Sequence, residues 1–109
     1  MPLVLKFHGS VDSERLQDCL NQLIDRHESL RTAFLNKNGE PIQRILPHAT
    51  ISLQVEEWGD RELQQIVRRE MSIPFDLAAA PLVRGTLVKG KSADVLVLTF
   101  HHIISDGWS

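Results

Sequence analysis

Two hydrophobic rhythms alternate along this chain. Leu3-Val4-Leu5-Lys6-Phe7 is a short apolar run stopped by His8-Gly9-Ser10, which predicts a first strand. Asp12 then stands where a helix N-cap belongs, and Leu16, Leu20, Leu23, Ile24 and His27 follow at helical spacing, with Glu14, Arg15, Asp18, Gln22 and Asp25 on the other faces. The stripe predicts an amphipathic helix of about four turns. Arg31 to Leu35 and Pro41 to Leu46 read as a hairpin across Asn36-Lys37-Asn38-Gly39, where Asn-Gly supplies the positive φ angles of a tight turn. Ile51 to Val55 is a further strand. Beyond Trp58-Gly59, Asp60 is placed to cap a second helix through Leu63, Ile66, Val67 and Met71, ending before Pro74. Leu82 to Val88 and Val95 to Phe100 pair as a hairpin across the polar turn Lys89 to Asp94.

The last of these runs, Val95-Leu96-Val97-Leu98-Thr99-Phe100, is apolar at every position but one, the pattern of a strand buried on both faces. It runs directly into His101-His102-Ile103-Ile104-Ser105-Asp106-Gly107-Trp108-Ser109. If the extended backbone continues, His102 shares a face with Leu96, Leu98 and Phe100 while His101 shares the other with Val95, Val97 and Thr99, so the imidazoles point apart. A basic group that titrates near neutrality at the mouth of a core strand, with a carboxylate and a glycine just behind, suits proton transfer.

Hairpin pairs and helices laid on a sheet predict an α+β fold, a two-layer sandwich. The sandwich reads as unfinished, because a strand apolar on both faces needs a layer on each and no later element remains to supply one.

Composition narrows the chemistry. With 109 residues, 42% hydrophobic and 24% charged, the chain is at most one ordinary globular domain. A net charge of −2 gives no basic footprint for nucleic acid, and no apolar run approaches membrane-spanning length. The single cysteine, Cys19, has no partner for an internal disulfide, and no secretory leader pattern opens the sequence, so a reducing cytoplasm is the expected setting.

Three segments carry a family resemblance. HHIISDGWS (101–109) is similar to the signature of condensation domains in nonribosomal peptide synthetases, which share their fold with chloramphenicol acetyltransferase and the dihydrolipoyl acyltransferases. Arg26-His27-Glu28-Ser29-Leu30-Arg31-Thr32-Ala33-Phe34 resembles the family's second conserved segment. Ile73-Pro74-Phe75-Asp76-Leu77 and Ala80-Pro81-Leu82-Val83-Arg84 resemble the stretch leading to the histidine strand. A bare HxxxD is common by chance, whereas HHxxxDG behind a core strand with RHExLRTxF upstream is specific. The resemblance covers essentially the whole chain. It implies a partial domain over residues 1–109: an incomplete first lobe of the chloramphenicol acetyltransferase-like type, without the family's opening segment and everything after HHxxxDG, and inert by itself.

The chemistry implied is amide formation between two carrier-bound substrates, the acceptor amine attacking the donor thioester. His102 takes the catalytic role by this resemblance, as a base or as a positioner of the amine. His101, facing away, is expected to be structural. Asp106 is expected to hold the histidine loop through an arginine, for which Arg31 is the nearest family-motif candidate, in preference to a triad role. Gly107 relieves the backbone at the turn and can bring an amide N–H toward the oxyanion. No substrate-binding residue is legible. No cofactor is expected to bind directly, since the substrates ride on the 4′-phosphopantetheine of partner carrier proteins. The partners implied are peptidyl and aminoacyl carrier domains, an adjacent adenylation domain and the second lobe.

Other readings are weaker. A metal site at His101, His102 and Asp106 lacks a third imidazole or thiol at suitable spacing. His27 reads as a core or boundary histidine, Glu28 and Arg31 as an ion pair, and His8 and His48 carry no signal. An epimerization domain shares HHxxxDG, but Trp108-Ser109 favours condensation, while His101 speaks against a heterocyclization domain, which has aspartate there. Residues 26–34 argue against a free-standing HxxxD acyltransferase. A carrier-docking piece without catalysis is the alternative from outside enzymology.

Overall fold

A computed structural model describes residues 1–105, without the side chain of Ser105; Asp106, Gly107, Trp108 and Ser109 lie outside the described residues. In chain order the elements are β1 (Pro2–His8), α1 (Ser13–Arg26), a 3-10 turn (Glu28–Arg31), β2 (Thr32–Lys37) and β3 (Glu40–Ile45). Then follow β4 (Leu53–Glu57), α2 (Leu63–Ser72), β5 (Val83–Lys89), β6 (Ala93–Phe100) and the single turn α3 (His102–Ser105).

Among the described residues, β1, β6, β5 and β4 form one sheet in that order, and β2 and β3 form a separate hairpin. β5 and β6 pair antiparallel, with Leu87 opposite Leu96, as expected across the polar turn. β1 returns along the other side of β6, antiparallel, with Leu5 opposite Leu96. β4 pairs with β5 in parallel, Leu53 opposite Gly85, so α2 is the crossover between two parallel strands.

Both faces of β6 are covered. Leu96 and Leu98 pack with Leu87, Ile24 of α1, Leu30, Ile51 and Leu53 on one side. Val95 and Val97 pack with Val88 and Ile66 on the other, under Trp58, Leu63 and Val67. The expectation that the second face of the histidine strand would stay bare is therefore corrected, because α2 supplies that layer. The α+β arrangement of helices and hairpins on a sheet is as expected.

Local chemistry explains where the boundaries fall. Asp12 caps α1 as predicted, its Oδ1 accepting from the N–H of Glu14 at 3.0 Å and of Arg15 at 3.3 Å. The β2–β3 turn is Asn38-Gly39, with φ of 55° and 83°, as the sequence requires. Asp60 does not cap α2. Residues 58–61 close as a turn in which Arg61 donates to the Trp58 and Glu57 carbonyls, and the cap falls to Glu62, whose N–H donates to Gln65 Oε1 at 2.9 Å. β4 begins two residues later than predicted because the Ile51 N–H is taken by Asn21 Oδ1 of α1, at 2.8 Å. His27 is exposed just past the end of α1, so the buried stripe narrows to Leu16, Leu20 and Ile24.

Candidate functional site

The sheet ends where the imidazoles begin. Phe100 is the last residue of β6, and the His101 N–H donates to the Leu82 carbonyl at 3.0 Å, tying the corner to the residue before β5. From there the chain does not continue extended. The Ile104 N–H reaches the His101 carbonyl at 3.1 Å, and Ile104, only 3% exposed, plugs back into the core and turns residues 102–105 into one helical turn.

This bend overturns the expectation that the two histidines diverge. The rings of His101 and His102 are stacked, with centroids 4.6 Å apart and planes 24° from parallel. Strand alternation fails here because alternation belongs to extended backbone, and His102 is already helical. His101 is half-buried and His102 exposed.

His101 works as the cap of the turn that carries His102. Its Nδ1 accepts from the Ile103 N–H at 3.1 Å, which requires a neutral ring with the proton on Nε2. Burial, and after it the charge of His102, push the His101 pKa below the ordinary histidine value. Both effects favour the neutral form of the His101 ring. Phe75 meets His101 edge to face, with centroids 5.7 Å apart and planes at 79°. Arg84 lies over the other part of this assembly, its Cζ 4.0 Å from the Phe75 centroid. A cavity of about 310 Å³ opens beside the pair, lined by Met71, Ile73, Phe75, Phe100, His101 and His102 among others.

The remaining site residues are placed unevenly. Arg31 donates from Nε to the Ile24 carbonyl at 3.2 Å and from Nη1 to the Leu46 carbonyl at 2.6 Å, joining the last turn of α1 to the residue after β3. Its guanidinium is thus used on carbonyls, and the ion pair expected with Glu28 is corrected accordingly. The proposed partnership of Arg31 with Asp106, and the roles of Asp106 and Gly107, fall outside the described residues. Among the described residues no three His, Cys, Asp or Glu side chains converge as metal ligands, and no helix is long and apolar enough to cross a membrane.

Phe75 and Arg84 lie in the segments 73–77 and 80–84, where the sequence by itself assigns neither a task. An aromatic before an acidic turn and a cation alternating with buried strand residues are visible in the sequence, but Phe75 meets His101, with Arg84 over Phe75, where the Leu82 carbonyl draws the corner against β5.

A sequence model of the family described as the condensation domain matches residues 1–109. Surfactin synthase subunit 2 of Bacillus subtilis is 48% identical over 110 aligned positions that cover the entire chain, and the chain spans about 3% of that protein's length. The first condensation domain of the calcium-dependent antibiotic synthetase, solved with a substrate analogue, superposes with a TM-score of 0.80 at 22% identity, over 94% of this chain and 27% of that one. The epimerization domain from the third module of tyrocidine synthetase B gives the same TM-score at 21% identity, over 94% of this chain and 25% of that one.

Proposed function

Because residues 1–109 belong to the condensation-domain family, we propose that they form the portion of a nonribosomal peptide synthetase condensation domain that presents the catalytic imidazole, His102. The donor is an aminoacyl or peptidyl thioester and the acceptor an amine, both delivered on the phosphopantetheine arms of carrier proteins in the cytoplasm. A second lobe completes the domain and an adenylation domain loads the acceptor.

The observation that supports this reading is the asymmetry of the stacked pair. An ammonium has no lone pair for attack, so the acceptor must shed a proton before or as it adds to the thioester carbonyl. Burial and the Nδ1 hydrogen bond keep His101 in its neutral form as a cap, and the ring left exposed beside the cavity is that of His102, to which the reading assigns the proton transfer. The acceptor ammonium first gives one proton to solvent, the resulting amine nitrogen bonds to the carbonyl carbon, its second proton passes to the neutral imidazole of His102, and collapse of the tetrahedral intermediate breaks the carbon–sulfur bond as the imidazolium returns that proton to the sulfur. The imidazole is thereby neutral again and the donor carrier leaves as its free thiol. The role of Asp106 in holding the loop and of Gly107 in turning it belongs to the same proposal.

The test is single-turnover transfer between loaded carriers with the complete domain. His102→Ala is expected to lower the amide-forming rate by about 10²- to 10⁴-fold with the fold retained. Undiminished transfer would remove His102 from the chemistry. Epimerization of a carrier-bound residue without amide formation would move the chain to the sister reaction.

A further inference from the structure

We propose that Phe75, braced by Arg84, is a positioning residue for the His102 imidazole and acts through the ring of His101. This rests on the catalytic reading of His102.

Arg84 sits on β5, but its guanidinium is committed to the segment leaving α2. Nη2 donates to the Glu70 carbonyl at 2.7 Å and the Ile73 carbonyl at 2.8 Å, and Nη1 to the Pro74 carbonyl at 3.3 Å. The last carbonyls of a helix carry partial negative charge and lack intrahelical donors, so a guanidinium there satisfies several at once. With Nη1 and Nη2 so engaged, and Nε buried without a hydrogen-bond partner, the flat cation covers the Phe75 ring at 4.0 Å, a cation–π contact that fixes the plane of the phenyl group.

Phe75 in turn presents itself at 79° to His101, the edge-to-face geometry that aromatic quadrupoles favour. The His101 ring is then constrained from two directions, by the near-perpendicular Phe75 ring and by the Ile103 N–H on Nδ1. The stacked His102 ring inherits that orientation. Each link is a planar group whose angle matters, and the series runs without a gap from the end of α2 to the exposed imidazole. A residue that merely sealed the core would need none of these angles.

The experiment uses the complete protein with its carrier domains and takes His102→Ala as the reference. Phe75→Leu is expected to lower the single-turnover rate by roughly 10- to 100-fold, with KM for the loaded donor carrier altered less than about twofold. Phe75→Tyr, which keeps the ring, is expected to restore most of the rate. The acid limb of the pH–rate profile in Phe75→Leu should move to higher pH, because a less buried His101 accepts a proton more readily and then loses its hydrogen bond from Ile103. Arg84→Met should show the same displacement more weakly, and Arg84→Lys should fall between. A folded Phe75→Leu with the parental rate and pH profile would overturn the inference, as would equal losses in Phe75→Leu and Phe75→Tyr. If Phe75→Leu does not fold, Phe75→Trp takes its place, with a displaced acid limb expected and an unmoved one overturning. An active His102→Ala sinks the catalytic reading first; an inactive one with an unaffected Phe75→Leu sinks this inference alone.

Discussion

Asp94 and Lys89 lock the β5–β6 hairpin from inside. The Asp94 carboxylate has no solvent exposure and accepts from the Lys89 ammonium, from the Val11 N–H at 2.7 Å and from the Gly90 N–H at 3.1 Å. Lys89 Nζ also donates to the Val11 carbonyl at 2.8 Å, so one ion pair gathers the start of the β5–β6 turn and the approach to α1.

Acid should loosen this lock. The Lys89 hydrogen bond, followed by that from Val11, lowers the Asp94 pKa from the ordinary 3.8 to about 2. A carboxylate whose folded pKa is depressed contributes stability that is full above its unfolded pKa and disappears as pH falls through the folded one. The urea midpoint should therefore drop between about pH 4 and pH 2. Asp94→Asn should be less stable at neutral pH and show a flatter midpoint over that window; an unchanged acid slope would assign the loss to other carboxylates.

Gly90→Ala tests the same turn by volume. A Cβ there would stand 2.4 Å from the Ala93 carbonyl oxygen and 2.9 Å from Trp58 Nε1, and the first contact is with backbone that cannot swing aside. Overpacking of this kind costs about 1–3 kcal/mol. Denaturant unfolding should show that loss, and Trp58 emission should shift with it.

His101 offers a way to separate its cap from its ring. His101→Ala removes the acceptor for the Ile103 N–H, a change that costs about 0.5–2 kcal/mol at a helix start. His101→Asn restores an acceptor oxygen but no aromatic stack. Amide exchange at Ile103 should quicken in the alanine variant and stay protected in the asparagine one, while amide-forming rate should fall in both. A parental rate in His101→Asn would show that the stack is dispensable.

The layer beneath β6 can be probed at Ile66, which is 1% exposed against Val88, Val95 and Val97. Ile66→Ala should destabilise by about 2–5 kcal/mol. A loss below about 1 kcal/mol would show that α2 is not a full partner of the sheet.

Helix stripes, the Asn38-Gly39 turn and the buried histidine strand were legible because each depends on residues near one another in sequence. Pairing of β1 with β6 was not, since a strand pattern names no partner, and neither was the parallel match of β4 with β5. At the site, the identity of the two imidazoles was plain but their relation was inverted: alternation was projected past Phe100, where the burial of Ile104 bends the chain instead. The carboxylate of Asp94 was read as turn polarity, because nothing local distinguishes a solvated aspartate from one enclosed by Lys89 and the Val11 amide.

The pairing of Leu5 with Leu96 also sets an order of events during synthesis. The first strand leaves the ribosome long before the only neighbour it has among the described residues, and a contact of such sequence separation forms slowly compared with a helix or hairpin. β1 must wait as an open edge until β6 has emerged. The histidine corner follows immediately behind, so completion of the sheet and arrival of the imidazole pair fall within the same few residues of translation.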